Sequence, residues 1–325
     1  MSPTLSANND ENNLIDLRGR TAPKSTIIAV GAGKGGVGKS FFSSSLAYFL
    51  AQMGKKTLLV DMDIGCANLH TWLGEGLPPR GINEFLMDES VSLSDVIFHT
   101  QKSNLSLISG ASDSLYSGDI TDAQKSRLLS SLYNHPTDFI ILDLGAGTHT
   151  STLDFFLMAR HHIVLFTPEP SSIENAYRFM KAAFYRKLRR YGKRLELTRV
   201  LDDLMKEKAE VKSPAQLLRA LEERFPEMTD DLKEITNQLN FEIVLNQIRT
   251  AQDRTLGRGI SSVCKRHFGL NCSYLGALSY DNAVWQSLRQ KKHLLVANPY
   301  SHLYAQIMGL ARKLADPTNH TTMVS

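Results

Sequence analysis

Eight residues, Gly33-Lys34-Gly35-Gly36-Val37-Gly38-Lys39-Ser40, constrain this chain more than any others. They sit between an apolar run at residues 26–30 and a helical pattern at residues 39–53 that Gly54 ends. A GxxxxGK[ST] loop placed between a strand and a helix has a specific physical use. Its glycines let backbone N–H groups curl round a phosphate, and the new helix aims its N-terminal dipole at the same charge. Lys39 then neutralises the β- and γ-phosphates, while the Ser40 hydroxyl ligates Mg²⁺. A Gly-rich turn with a chance lysine would need neither the strand before it nor the helix after it.

The rest of the chain has the rhythm such a loop requires. Apolar runs at residues 57–60, 105–108, 139–142, 163–167, 242–245 and 274–278 read as further strands, several apolar throughout, as strands buried on both faces must be. Helical patterns at 122–133, behind Thr121, and at 172–191 lie between them. Strands alternating with helices predict an α/β fold with a parallel sheet. We expect one P-loop NTPase domain over residues 25–315, with about seven or eight mostly parallel strands and helices on both faces. Residues 1–24 read as a flexible polar lead-in and residues 316–325 as a polar tail.

Composition fits a globular core: of 325 residues, 42% are hydrophobic and 22% charged, which excludes disorder for the body of the chain. No apolar run approaches the roughly 20 residues of a membrane span. The first residues lack the basic and apolar regions of a secretory leader. Cys66, Cys264 and Cys272 show no CxxC spacing, so a reducing cytoplasm is the expected setting. A net charge of +4 is too small to imply a nucleic-acid partner by itself.

One stretch breaks the rhythm. A helical insertion, about residues 185–240, separates two expected strands and is polarised in charge. Residues 181–199 hold 8 basic and 1 acidic side chains, whereas residues 200–240 hold 6 basic and 10 acidic ones. Ser213-Pro214 opens a helix there as N-cap and first-turn proline. Surface ion pairs contribute little stability, roughly 0–1 kcal/mol each. The expectation is therefore a recognition surface at Arg186, Lys187, Arg189, Arg190, Lys193 and Arg194, of which Arg186, Arg189, Arg190 and Arg194 should be reversible to Glu without harm to folding.

Two carboxylate segments complete the pattern. Leu58-Leu59-Val60-Asp61-Met62-Asp63 delivers two acids at a strand end, and Phe139-Ile140-Ile141-Leu142-Asp143 delivers one more before Gly145 and Gly147. Ends of parallel strands are where open α/β sheets bind ligands. Asp143 fits the carboxylate that holds Mg²⁺ through water. The bland alternative is that Asp61 and Asp63 cap the next turn.

With Lys34 inside the loop, the pattern becomes KGGxGK[ST], and the chain resembles the MinD/ParA family of P-loop ATPases. The resemblance spans about residues 26–182 and 241–315. It implies ATP and Mg²⁺ as cofactors and an ATP-bound homodimer in which Lys34 crosses to the partner's phosphates. Gly33, Gly35, Gly36, Val37, Gly38, Lys39, Ser40 and Phe41 would cradle the nucleotide. Asp63 would act on the attacking water as a catalytic residue with Lys34 and Lys39, and Ser40, Asp61 and Asp143 would serve the metal. Asn68 would lie near the phosphates or the dimer contact. Thr167-Pro168-Glu169 resembles the segment whose glutamate faces the ribose across the dimer. Asn246 would read the adenine edge, and Asp281 would flank the base, although Ser279 replaces the family's usual proline. Asp63-Ile64-Gly65 leans towards the MinD and flagellar-number (FlhG/FleN) branch, with cytoplasmic location or peripheral attachment at the inner membrane or cell pole.

Three alternatives remain open at this point. Iron–sulfur carriers of related fold need cysteines near the Asp143 strand, and none is there. A partitioning ATPase of ParA type would hold nonspecific DNA through the basic residues of the insertion. An anionic membrane could take the same residues, but the final helix, with Leu303, Ile307, Leu310 and Leu314, reads better as packing on the sheet.

Overall fold

Apolar runs this short become central strands when helices cover both faces, and that is how the sheet is built. The computed structural model describes residues 25–64, 67–110, 120–191, 201 and 213–316. The strands are β1 (Thr26–Gly31), β2 (Thr57–Met62), β3 (Phe98–His99), β4 (Leu105–Ile108), β5 (Phe139–Leu144), β6 (His161–Phe166), β7 (Asn240–Ile248) and β8 (Asn271–Ser279). They form one sheet in the order β3-β4-β2-β5-β1-β6-β7-β8, parallel except for β3 against β4. Every residue of β2, β5 and β6 is buried. Two differences from the sequence reading matter. The two-residue β3 is too short to leave a pattern. β2 and β5 run past their expected ends, so Asp61 and Asp143 stand inside strands, in register with each other.

The helices of eight or more residues are α1 (Lys39–Gln52), α2 (Asp122–Asn134), α3 (Thr150–Leu157), α4 (Pro170–Tyr191), α5 (Pro214–Arg224), α6 (Thr229–Gln238), α7 (Ala251–Phe268), α8 (Asn282–Arg289) and α9 (His302–Ala315). Their starts follow local chemistry. Thr121 and Gln124 form a capping box on α2, as Ser213 and Gln216 do on α5. α4 begins at Pro170, two residues before the expected Ser172, because proline's fixed φ suits a first helical position.

Each sheet face carries its own core layer. On one, Phe42, Phe49 and Leu50 of α1 pack with Leu303, Ile307, Leu310 and Leu314 of α9. Burying each such side chain is worth roughly 1.5–3 kcal/mol, so α9 belongs to the fold and its apolar stripe is not offered to lipid. On the other face, Phe155, Phe156, Phe179 and Phe184 pack with Leu217, Leu221, Leu232 and Ile235. The last four come from α5 and α6, so the insertion's helices share the main core.

The basic segment requires a correction. Asp154 of α3 has 0% exposure and accepts two hydrogen bonds from Arg186, at 2.8 and 2.9 Å. Lys125 of α2, only 2% exposed, lies 3.0 Å away, and Arg190 lies at 3.9 Å. Burial alone would raise the Asp154 carboxyl, but hydrogen bonds and charge from Arg186 and Lys125 outweigh it and hold the group below its usual range. Burial, with Arg190 beside it, pulls the Lys187 ammonium down. Arg186, Lys187 and Arg190 are thus drawn into the protein, and Arg189 is the exposed member. Lys193 and Arg194 lie outside the described residues. Among the described residues, three of the four basic side chains expected on a recognition surface are drawn in.

Removing one partner of a buried ion cluster strands the others. Asp154→Ala should therefore lower unfolding free energy by about 3–5 kcal/mol, read from the urea midpoint. Arg189→Glu should stay within about 0.5 kcal/mol. Because the folded Asp154 carboxyl titrates below its unfolded value, its contribution is present at neutral pH and fades as pH falls through the carboxylate range.

Candidate functional site

The C-terminal ends of β2, β5, β1 and β6 are neighbours in the sheet, and the chain's chemistry gathers there. Residues 32–38 loop from β1 into α1. Two of them, Gly36 and Gly38, have φ of 77° and 94°, a region costly to any residue with a Cβ. Gly38 is the N-cap of α1, and a Cβ on it would overlap the Asn246 carboxamide. A Cβ on Gly33 would overlap the backbone carbonyl of Asn175. One side of the loop is therefore packed against α4 and β7, whereas a Cβ at Gly35 or Gly36 would meet open space.

Asp143 is fully enclosed. Its Oδ1 accepts a hydrogen bond from Ser43 at 2.8 Å, and Ser40 also bonds to it. Burial pushes its carboxyl up to about 6, against the opposing pull of Ser40, Ser43 and the nearby Lys39 ammonium. Lys39 itself is buried. Ser43 was missed in the sequence reading, although its i+3 spacing from Ser40 places both hydroxyls on one side of α1. Hard oxygen donors from Ser40 and Asp143 beside a lysine fit Mg²⁺ with a phosphate ligand, since that ion keeps several waters and takes few protein ligands.

Asp61 is buried beside Asp143, and burial, then the charge of Asp143, raises its carboxyl to about 7. Its oxygens accept backbone N–H groups of Asp63 at 3.2 Å, Asn68 at 3.0 Å and Leu69 at 3.1 Å. It therefore shapes the loop that presents Asp63. The Asp63 carboxylate rests near Gly145, where a Cβ would stand 3.4 Å from Oδ1. Gly147, at φ 95°, donates its N–H to the Ala32 carbonyl at 3.1 Å and ties this second loop to the first.

The remaining expected residues divide. Lys34 pairs with Glu169 at 2.7 Å and donates to Ser171 at 3.4 Å. Asn246 Nδ2 donates to the Val37 carbonyl at 2.8 Å, and Gln247 Nε2 donates to the Gly36 carbonyl at 3.3 Å. Both residues brace the loop, and Gln247, held at φ 58°, had no sequence signal. The Phe41 side chain is buried against Trp72, so its place is in the core. Asn68 is exposed, ahead of a short helix. Asp281 caps α8 through Ala283 N–H at 2.8 Å and accepts from Ser301 at 2.6 Å, three strands from β1. Of all the expected site residues it stands furthest from the loop along the sheet order. Cys66 lies outside the described residues.

Residues 28–294 match the CobQ/CobB/MinD/ParA nucleotide binding domain. The chain belongs to that family. Among its relatives, the septum site-determining protein MinD of Buchnera aphidicola is 33% identical over 156 residues, which span 47% of this chain and 57% of MinD. The chain thus matches little more than half the length of that relative. The antiactivator FleN of Pseudomonas aeruginosa is 23% identical over 303 residues, 90% of each chain. In structure, the chain resembles Pyrococcus horikoshii MinD complexed with Mg-ADP, with a TM-score of 0.62, 20% identity, and coverage of 89% of this chain and 96% of that one.

Lys39→Ala should abolish binding of Mg-nucleotide, because backbone N–H groups cannot replace a full charge on the β- and γ-phosphates. Isothermal titration with ATP and Mg²⁺ measures this. Wild-type affinity in that variant would refute the assignment of the loop.

Proposed function

We propose that this chain is a Mg²⁺-dependent ATPase that acts as a dimerising switch and places other proteins at a division site or flagellum. The observation that carries the reading is the pair of lysines in one loop. Lys39 is buried beside Asp143, where it serves the chain's own phosphates. Lys34 is partly exposed, where it can serve those of a second copy. The likeness to FleN over 90% of both chains supports the flagellar branch, and that to MinD supports the division branch.

Phosphoryl transfer asks a protein for position and charge more than for covalent chemistry. Asp63 orients the attacking water from the loop that Asp61 shapes. Ser40 and Asp143, with Asp61 behind them, would hold Mg²⁺, which would supply neutralisation of phosphate charge. Lys34 and Lys39 stabilise the negative charge that spreads as the bond breaks. Asn246 reaches the adenine side through the loop it braces. Two chains meet with ATP between them, and hydrolysis lets them part.

A protein partner is proposed to meet the outer faces of α5 and α6 and the turn between them, where Glu223, Glu227, Asp230, Asp231 and Glu234 are exposed alongside Arg219, Arg224 and Lys233. This moves the recognition surface from the basic segment to the acidic one. The setting is the cytoplasm, with peripheral attachment by way of the partner. Among the described residues, no helix is long and apolar enough to cross a membrane.

Asp63→Ala should bind ATP normally, hydrolyse it at least tenfold more slowly, and accumulate as a dimer on size exclusion. Unchanged turnover would remove Asp63 from the mechanism. Tight, steeply salt-dependent binding to nonspecific DNA would instead place the chain with partitioning ATPases.

A further inference from the structure

A cavity of about 320 Å³ opens at the end of the sheet opposite the phosphate loop. It lies where β2 and β4 begin and where the chain turns from α2 into β5. Thr57, at its edge, stands four residues before Asp61 on one strand, so about 13 Å separates the two sites. The volume falls at the lower end of small-molecule pockets, roughly 300–1,000 Å³. The nucleotide chemistry above makes no use of it.

Hydrogen bonds between distant segments hold its walls. The His135 carbonyl accepts from Ser25 Oγ at 2.6 Å, and the Thr137 N–H donates to the same hydroxyl at 3.3 Å. Thr137 Oγ1 donates to the Lys56 carbonyl at 2.8 Å, while the Lys56 N–H donates to Asp138 Oδ2 at 2.8 Å. On the β3–β4 side, His99 Nδ1 lies 3.1 Å from Ser106 Oγ, across two paired strands. Walls already ordered lose little freedom when a ligand enters.

The lining selects the ligand. Eleven residues line the cavity, and none carries a carboxylate. The acids next to them in sequence, Asp95 and Asp138, engage the N–H groups of Ser92 and Lys56 through Oδ2. Lys56, exposed at the rim, is the one lysine or arginine in the lining. Burial holds the His135 imidazole below its ordinary value, so at neutral pH it offers an N–H donor without charge. Ser94 and Asn104 add a hydroxyl and a carboxamide. A cation would find no counter-charge here. An apolar molecule would displace water from these polar groups and replace none of its hydrogen bonds.

We propose that this cavity is a second ligand site, for a small organic anion whose phosphate or carboxylate group is taken by Lys56 and His135. Hydroxyl groups of the same ligand meet Ser94, Asn104 and Ser106. The site owes nothing to dimerisation, so it stands or falls apart from the switch.

The test is isothermal titration of the full chain with glucose 6-phosphate and with succinate, a phosphate ester and a dicarboxylate. Saturating Mg-ADP is present throughout and keeps both probes off the phosphate loop. At least one probe should bind saturably, and the tighter of the two identifies the anionic group. Lys56→Ala should weaken that binding at least about tenfold, the usual worth of a charge-assisted hydrogen bond. Because Lys56 is exposed, the variant should keep the parent's thermal midpoint and Mg-ADP affinity. Lys55→Ala removes the same charge from an exposed neighbour that does not line the cavity, and it should bind the probe as the parent does. Absence of saturable binding by both probes up to about 10 mM overturns the proposal. So does an equal effect of the two lysine variants, whether loss or none, which would leave net charge alone as the attraction.

Discussion

Two carboxylates that repel each other organise this site. Asp61 and Asp143 stand in register on adjacent parallel strands, each 1% exposed. Neither can carry charge there without help, and the surrounding structure is the help. Lys39 and the hydroxyls of Ser40 and Ser43 converge on Asp143 because α1 begins where it does. The backbone N–H groups of Asp63, Asn68 and Leu69 donate to Asp61 and so anchor those three residues beside it. The glycines at 36 and 38 are needed because only a loop with left-handed turns can deliver α1 at that angle beside β5. Position of the helix, shape of the second loop and placement of the lysine all answer one electrostatic demand.

The insertion shows how charge along a sequence differs from charge in space. Counting along residues 181–199 suggests a positive face, but a single buried Asp154 collects Arg186, Arg190 and Lys125 from two helices. The partner is 32 residues away from Arg186 in sequence, so no window centred on the basic run includes it. Among the described residues of α5 and α6, exposed acidic side chains stand beside exposed Arg219, Arg224 and Lys233, on helices whose apolar sides complete the main core.

Most of the fold was legible because its signals are local. Apolar runs, a Thr or Ser cap followed three residues later by Gln, and a proline at a first helical position each act within a few residues. The phosphate loop was legible for the same reason, since eight adjacent residues carry it. What escaped was set by contacts at long range. Ser43 reads as one more serine until β5 brings Asp143 beside it. The contact of Asn246 with the Val37 carbonyl, 209 residues distant, has no local signal. Nor has the hydrogen bond that Asp281 accepts from Ser301, 20 residues on. The two-residue β3 gave no periodicity to read.

The position of β1 in the middle of the sheet also governs how the chain must be made. Both of its neighbours, β5 and β6, leave the ribosome more than a hundred residues after it. At the usual 5–20 residues per second, this apolar strand waits on the order of ten seconds for the partners that will cover it. The layer that encloses α1 is finished later still, when α9 docks on it at the end of synthesis. During that interval the nascent chain exposes an apolar strand whose unpaired edges are open to copies of itself.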